Sequence, residues 1–171
     1  WMRVGFVHGV MNTDNMSVLG LTIDYGPYGW IDDYNPDCTP NTTDAAGGRY
    51  RFGNQPHIAL WNLAQLANAI YPLIEQAEPL EAALQIYGDC YKQGWQTMMA
   101  QKLGLKSFEA QTDLPLISRL EDVLQLVETD MTIFYRKLAE LTPAGDQDDE
   151  SLLAPLRQAY YQPEAISADN Q

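Results

Sequence analysis

Two acids and an amide near the start of the sequence carry side chains suited to chemistry. Asp14 and Asn15 end the segment HGVMNTDN at residues 8–15, and Asp24 opens the tripeptide DYG nine residues after Asn15. Carboxylate and amide oxygens are ligands that Mg²⁺ accepts, and a carboxylate can also take up a proton. These three residues are therefore the candidate metal-binding and acid–base residues of the chain.

A short β-hairpin is expected between these two segments. The β-prone runs at 16–19 and 21–23 lie on either side of Gly20, which favours a tight turn. In such a hairpin Asn15 and Asp24 belong to opposite arms and could converge on one metal ion. The sequence thus predicts both the candidate ligands and the element that positions them.

The spacing corresponds to the catalytic loop of kinase-type phosphoryl-transfer enzymes. That loop reads His-Arg-Asp-x-x-x-x-Asn, or His-Gly-Asp-x-x-x-x-Asn in small-molecule kinases, and a metal-binding Asp-Phe-Gly follows it. His8 matches the first position, Asn15 the metal-binding Asn, and Asp24 the metal-binding Asp. Val10 stands where the proton-accepting Asp is expected, and Asp14 is the nearest carboxylate that could replace it.

Each segment also has an ordinary structural interpretation. Asp14 and Asn15 could form an Asx turn, and Asp24 with the following Tyr-Gly-Pro could be a turn after a strand. For either segment alone the turn is the better explanation. Both segments in the right order, with a hairpin between them, favour a metal site.

The composition limits the classes of partner. The chain has 171 residues, 46% hydrophobic and 19% charged, which is enough apolar material for a packed core. Its net charge of −13 argues against nucleic acid and anionic membranes, because little basic surface is present to displace counterions. No apolar run approaches the roughly 18–20 residues needed to span a bilayer. Two cysteines make neither a disulfide framework nor a zinc site.

Helical periodicity replaces the turn-rich pattern after residue 54. Asn54 is a suitable N-cap, Pro56 suits a first turn, and Pro72 can kink or end the helix that follows. Gly104 is expected to close the second helix. From the apolar spacing we expect four helices, from 55 to about 74, 80–103, 114–141 and 151–161.

The chain is expected to form one mainly α domain with three parts. Residues 1–54 contain the catalytic loop, the metal loop and a segment like an activation loop. Residues 55–144 form the helical core, and 145–171 contain an acidic linker, a short helix and a frayed tail. The acidic run over 143–150 is the predicted break between the last two helices.

A longer set of motifs resembles the selenoprotein O family, which comprises pseudokinases with a protein-kinase-like fold. The match is dense over residues 5–75 and continues more loosely through KLGL at 102–105 and DMTIF at 130–134. Its motifs are FVHGVMNTDNM (6–16), LGLTIDYGP (19–27), DDY (32–34), PNTTD (40–44), GRY (48–50), FGNQP (52–56) and WNL (61–63). The resemblance implies a kinase-like C-lobe: a short β-hairpin carrying the metal-binding loop, followed by three to four helices.

The resemblance also implies a reaction. Members of that family are understood to transfer AMP from ATP, bound in a flipped orientation, to hydroxyl groups of Ser, Thr and Tyr in proteins. Carried over by position, Asp14 is the proton acceptor, Asn15 and Asp24 bind Mg²⁺ (with Mn²⁺ as an alternative), and Asp24 also contacts the nucleotide. On this basis, valine at position 10, in place of the kinase aspartate, accompanies transfer of AMP instead of phosphate. The rival hypothesis is a catalytically silent lobe that serves as a helical protein-interaction module.

The resemblance covers only part of the family's length, so the chain is expected to be a piece of a longer enzyme. No Gly-rich loop and no strand Lys with a helix Glu occur in these residues. The missing N-lobe is then a partner of this chain, and apolar surface is expected to be exposed near residues 16–24. Alone, the chain is expected to bind ATP weakly and to transfer nothing. The resemblance implies that the protein is cytoplasmic if it is bacterial and mitochondrial if it comes from a eukaryote.

Four further residues have both a functional and a structural interpretation. His8 is expected to be a scaffold residue that bonds the loop backbone. Arg49 and Arg51 are expected to form salt bridges, with substrate contact as the alternative. Cys90 lies in a predicted helix and is expected to be a buried thiol.

Overall fold

The computed structural model describes residues 1–142 and 148–165. Within these residues a two-stranded antiparallel sheet precedes five α-helices, and single 3₁₀ turns lie between some of them. The mainly α fold with a small β-hairpin is therefore confirmed. The elements are β1 (Phe6–Val7), β2 (Gly29–Trp30), α1 (Gln55–Ile74), α2 (Glu78–Leu103), α3 (Ala110–Leu124), α4 (Met131–Leu138) and α5 (Asp149–Leu153).

The sheet is not formed by the runs that the sequence favoured. In β1 and β2, Phe6 lies opposite Trp30 and Val7 opposite Gly29. Instead of strands at 16–19 and 21–23 there is one isolated antiparallel bridge, Met16 to Thr22. The residues between them form a tight turn, because Gly20 has φ +73° and donates its N–H to the Ser17 carbonyl at 3.0 Å. The hairpin is thus longer than predicted and paired mainly at its base.

Helix α1 begins where the local sequence predicts. Pro56 occupies the first turn, and the helix is closed after Ile74 by Glu75, which takes the left-handed conformation with φ +55°. Asn54 is the residue before the helix, but its side chain does not cap it; its Nδ2 donates to the Arg49 carbonyl at 2.6 Å. Pro72 lies in the last turn, so the helix continues past it for two residues.

Helix α2 ends at the predicted glycine. Gly104 has φ +67°, and the next residue, Leu105, donates its N–H to the Ala100 carbonyl at 2.8 Å. This bond takes one of the carbonyls that a helix leaves unsatisfied at its C-terminus. The helix begins two residues earlier than expected, at Glu78.

The single long helix predicted over 114–141 is wrong. The structure has two helices there, α3 and α4, separated by residues 125–130. Asp130 begins α4 as its N-cap, and its Oδ1 accepts the Ile133 N–H at 2.7 Å. An acid at the N-cap position is a local signal for the start of a helix. The apolar periodicity continues across Asp130, so it predicts one helix where there are two.

Backbone groups in this break are paired by a segment distant in sequence. The Tyr34 N–H donates to the Thr129 carbonyl at 3.0 Å, and the Met131 N–H donates to the Asp32 carbonyl at 2.9 Å. Thr129 is fully buried. Continuing the helix would leave these partners without bonds, so tertiary pairing overrides the local helical pattern.

The last predicted helix, 151–161, is only partly α-helical. Helix α5 is capped by Asp148, whose Oδ1 accepts the Ser151 N–H at 2.7 Å, and the chain continues as a 3₁₀ helix over Ala154–Ala159. Parts of the predicted acidic break and of the predicted frayed tail, residues 143–147 and 166–171, lie outside the described residues.

Contacts divide the chain into two compact units. The first contains Trp1–Trp30 and Pro36–Trp95, and its buried residues include Phe6, Val7, Met11, Phe52 and Ile58. The second contains Ile31–Asn35 and the described residues from Gln96 onward, around a core of Leu124, Phe134, Leu156 and Ala159. The candidate site lies in the first unit. None of the described helices is long and apolar enough to cross a bilayer.

Candidate active site

His8 connects the two segments that carry the candidate ligands. Its side chain is fully buried, and its Nε2 lies 2.7 Å from the carbonyl oxygen of Ile23, the residue before Asp24. Its Nδ1 accepts the Val10 N–H at 3.3 Å. Because the carbonyl can only accept, Nε2 carries the proton and Nδ1 is the acceptor. The expected scaffold role of His8 is therefore confirmed.

Two polar side chains of helix α1 hold the same loop from behind. Gln55 is buried; its Oε1 accepts the His8 N–H and its Nε2 donates to the Phe6 carbonyl, both at 2.9 Å. Asn62 is also buried, and its Nδ2 donates to the Met11 carbonyl at 2.8 Å. Residues seven apart share one face of a helix, so α1 presents both amides to the loop. Neither residue was a candidate from the sequence.

The candidate metal-binding amide has a defined orientation. Thr13–Asn15 forms one 3₁₀ turn, and the Asn15 Nδ2 donates to the Val10 carbonyl at 2.8 Å. With Nδ2 engaged, Oδ1 is the atom of this amide that can ligate a metal. Asp14 lies in the same turn with an exposed side chain.

Asp24 lies on the other arm in an unusual backbone conformation. Its φ is +58°, and its carbonyl accepts the Gly26 N–H at 2.7 Å. A non-glycine residue in the left-handed region costs free energy and is common at functional sites. The Met16–Thr22 bridge joins the residue after Asn15 to the residue two before Asp24. The two candidate ligands therefore flank one end of this bridge.

The site supplies few protein ligands. Over the described residues, no group of three His, Cys, Asp or Glu side chains is placed to hold a metal ion. An amide oxygen from Asn15 and a carboxylate from Asp24 are nevertheless a donor set that suits Mg²⁺, which usually takes one or two protein ligands and completes its shell with water and phosphate oxygens. The chemistry of these two donors therefore fits a nucleotide-bound Mg²⁺.

The segment at 41–50 also holds the loop at residues 8–15. Asn41 Nδ2 donates to the Gly9 carbonyl at 3.2 Å, and the Tyr50 hydroxyl donates to Asn12 Oδ1. Asp44 holds this segment in shape, because its carboxylate accepts the backbone N–H of Tyr50 at 2.7 Å. Sequence reasoning missed Asn41 and Tyr50, although the density of polar and turn residues in PNTTD and GRY marked the segment.

Gly9 is required at its position by both conformation and space. Its φ is +82°, and a Cβ added there would lie 2.5 Å from the carbonyl oxygen of Pro27. The HGV and DYGP segments therefore approach each other at a point where no side chain fits.

The two arginines of this segment have different surroundings. Arg51 forms the expected salt bridge, with its Nε 3.1 Å from Asp37 Oδ1. The Arg49 guanidinium instead lies over the Trp61 ring, 4.6 Å from its centroid, and 5.6 Å from the centroid of the Tyr50 ring. The salt-bridge prediction is thus confirmed for Arg51, whereas Arg49 forms no salt bridge with the part of the chain that the structure describes.

Two burial predictions have opposite outcomes. Apolar side chains are exposed near residues 16–24 as expected: Val18 is 83% exposed, Leu19 80% and Leu21 62%. Cys90, expected in the core, is exposed, because it lies on a face of α2 that the described residues do not cover. Helical position alone did not predict which face of α2 is buried.

Comparison with known proteins identifies the family. A sequence model of the family described as protein adenylyltransferase SelO matches residues 1–168. Proteins named protein nucleotidyltransferase YdiU are 54% identical in Rhodopirellula baltica, over 100% of this chain and 33% of the relative, and 57% identical in Aromatoleum aromaticum, over 96% and 30%. The chain belongs to the SelO family. It spans about a third of the length of these relatives.

Proposed function

We propose that this chain is the metal-binding part of a protein adenylyltransferase. In the proposed reaction, the enzyme transfers AMP from ATP to Ser, Thr or Tyr hydroxyls of proteins with Mg²⁺. Membership of the SelO family and relatives named protein nucleotidyltransferase support a nucleotide-transferring function. The use of ATP as the donor and of protein hydroxyls as acceptors is proposed in addition.

The observation that carries the proposal is the bond between His8 and Ile23. It links the loop containing Val10 and Asn15 to the arm containing Asp24. This bond supports a site in which Asn15 and Asp24 would supply two hard oxygen donors, while the kinase base position holds a valine. That combination suits a nucleotide-handling site whose proton acceptor lies elsewhere, and it disfavours ordinary protein phosphorylation.

The proposed chemistry assigns one role to each residue. Asn15 and Asp24 would hold Mg²⁺, which neutralises charge on the phosphates when it is bound. The acceptor hydroxyl oxygen forms a bond to the α-phosphorus, the bond from that phosphorus to the bridging oxygen breaks, and pyrophosphate leaves. Asp14 takes the hydroxyl proton. A free hydroxyl has a pKa far above 7, so a carboxylate is only a modest base for it, and Asp14 also orients the acceptor.

Labelled nucleotides test the transferred group. The full polypeptide that contains this sequence is incubated with Mg²⁺, a protein acceptor, and ATP labelled at either the α- or the γ-phosphate. Label in protein from the α-position alone is the expected result. Label from the γ-position alone would mean phosphorylation and would overturn the proposal.

A silent interaction module is the second candidate, favoured by one observation. Val18, Leu19 and Leu21 present exposed apolar side chains on the turn beside the candidate site, as a docking surface would. No incorporation from either label by the full polypeptide, together with binding of a partner at this turn, would favour the module. For the 171-residue chain by itself we expect no transfer, because an N-lobe would supply the remaining nucleotide contacts.

A further inference from the structure

Arg49 is a cation whose guanidinium packs on aromatic rings. Among the described residues its guanidinium forms no ion pair, although the chain has 23 acidic residues against 10 basic ones. It rests instead on the rings of Trp61 and Tyr50. Stacking on aromatic faces leaves the N–H groups at the edge of the guanidinium plane available for hydrogen bonds.

The backbone beneath Arg49 is fixed independently of its side chain. The Asp44 carboxylate accepts the backbone N–H of Arg49 at 3.0 Å and that of Tyr50 at 2.7 Å. The nearest acid in this turn is therefore engaged by backbone groups. Asn54 Nδ2 also donates to the Arg49 carbonyl at 2.6 Å. The guanidinium is thus presented from a rigid position, which lowers the entropic cost of binding a ligand.

Arg49 is connected to the candidate site through its neighbour. The Tyr50 ring contacts the guanidinium, and the Tyr50 hydroxyl donates to Asn12 Oδ1. Asn12 precedes the turn that contains Asp14 and Asn15. Contacts through Tyr50 and Asn12 therefore connect a group bound at Arg49 to the turn that carries Asp14.

We propose that Arg49 binds an oxyanion of the acceptor, namely an Asp or Glu side chain close to the hydroxyl that receives the nucleotide. A planar guanidinium pairs with a carboxylate through two parallel hydrogen bonds, which gives direction as well as affinity. The inference rests on the proposed function, because it names the class of acceptor for the same site. A phosphate of the nucleotide has the same chemistry and is the alternative source of the oxyanion.

Two matched peptides test the inference in the full polypeptide that contains this sequence. One has a single Tyr acceptor flanked by Glu, and its twin has Gln at the same positions. We expect kcat/KM to be about tenfold higher for the Glu peptide, as a charge-assisted pair provides. In Arg49→Met, the ratio of kcat/KM for the Glu peptide to that for the Gln peptide should fall close to one. The fall should come from a higher KM for the Glu peptide, with the KM of ATP unchanged. Arg49→Lys should keep only a small preference, because an ammonium cannot pair through two parallel bonds.

Arg51→Met is the matched control. It removes a cation two residues away whose partner is already Asp37, so the preference should persist. Equal loss of preference in the Arg49 and Arg51 variants would overturn the inference, since it would indicate a general charge effect. A raised KM of ATP in Arg49→Met, with the peptide preference intact, would also overturn it and assign the oxyanion to the nucleotide.

A binding measurement separates failure of this inference from failure of the proposed function. If the wild type transfers no nucleotide, the same peptides are titrated while the Trp61 indole N–H is followed by NMR. Saturable shifts with the Glu peptide that disappear in Arg49→Met support the inference without any transfer. Identical shifts with the Gln peptide would overturn it.

Discussion

The Nε2 of His8 lies 2.7 Å from the carbonyl oxygen of Ile23; the His8 side chain is buried and Ile23 is half-buried. This single bond spans 15 residues of sequence. It couples the catalytic-loop segment to the backbone immediately before Asp24. The two segments that carry the candidate metal ligands are therefore joined through the His8 imidazole, and their relative geometry depends on that side chain.

Replacing His8 should destabilise the fold strongly. His8→Ala removes the partner of the Ile23 carbonyl and of the Val10 N–H and leaves a buried cavity. We expect a loss of about 2–4 kcal/mol in the free energy of unfolding, because each unsatisfied buried group costs about 1–3 kcal/mol. Urea unfolding followed by circular dichroism measures it.

The other histidine is a matched control for this change. His57 is exposed in α1, so His57→Ala should change the free energy of unfolding by no more than about 0.5 kcal/mol. If both variants unfold at the same urea concentration as the wild type, His8 is not a scaffold residue.

Three glycine-to-alanine substitutions should separate backbone strain from steric collision. Gly9→Ala meets both, because φ is +82° and the added Cβ would lie 2.5 Å from the Pro27 carbonyl oxygen; we expect a loss of about 2–4 kcal/mol. Gly20→Ala has φ +73° but open space, so it should cost about 1 kcal/mol. Gly88→Ala, inside α2 with open space, should stabilise by about 0.5–1 kcal/mol.

The ranking of these three variants by stability tests the prediction. Thermal or urea unfolding should rank Gly88→Ala above the wild type, then Gly20→Ala, then Gly9→Ala. A Gly9→Ala variant as stable as Gly20→Ala would show that the segment containing Pro27 moves away without cost.

Local signals in the sequence predicted the elements that local bonds determine. Gly104 ends α2 because only a residue tolerant of positive φ closes the helix there. His8 was identified as a scaffold residue from its place in the loop pattern, and its partner Ile23 lies in the same hairpin. Exposure of Val18 and Leu19 was expected from the resemblance, because residues near 16–24 would form the face that an N-lobe covers.

Features that depend on distant residues were missed. The break between α3 and α4 is paired by Asp32 and Tyr34, which lie about a hundred residues earlier, and helical periodicity carries no information on such partners. The contacts of Asn41 and Tyr50 to the catalytic loop are missed for the same reason, since they join separate segments. Cys90 shows the converse: cysteine is a residue type that is usually buried, yet this one lies on a helix face that the described residues do not cover.

Removing the N-cap of α4 should weaken the second unit. Asp130→Ala eliminates the bond from the Ile133 N–H to the carboxylate at 2.7 Å, and we expect a loss of about 1 kcal/mol. Asp130→Ser keeps a side-chain acceptor and should recover most of it. Urea unfolding measures both variants, and an Asp130→Ala variant with unchanged stability would mean that the break is determined by its backbone pairing alone.

Glu121 should make the stability of the second unit depend on pH. Burial raises the pKa of its carboxyl above the usual value, and a hydrogen bond from Tyr34 opposes this shift. In the unfolded chain the carboxyl loses its proton at lower pH, so the folded state binds more protons above about pH 4.5. The contribution of Glu121 to stability is therefore present in acid and is lost as pH rises through its folded pKa.

Glu121→Gln isolates this effect, because glutamine keeps an oxygen that can accept the Tyr34 hydroxyl and cannot ionise. The variant should gain in urea midpoint relative to the wild type as pH rises from 4 to 7. Glu128→Gln removes the same charge from an exposed position and controls for net charge. A midpoint difference for Glu121→Gln that stays constant over this range would show that its ionisation is not coupled to folding.

Substitutions at the candidate site should reduce transfer in two distinguishable ways. Asp24→Asn removes the charge of a proposed Mg²⁺ ligand while asparagine tolerates the φ of +58°; we expect transfer to fall by about 100-fold or more and to recover partly at high Mg²⁺. Asp14→Asn removes the proposed proton acceptor, and we expect kcat to fall by about 100-fold without recovery by Mg²⁺.

The control is Asp89→Asn, which changes an exposed acid of α2 and should leave transfer unchanged. Transfer by the full polypeptide, measured against Mg²⁺ concentration, tests all three, and a Mg²⁺ response shared by Asp14→Asn and Asp24→Asn would contradict their separate roles.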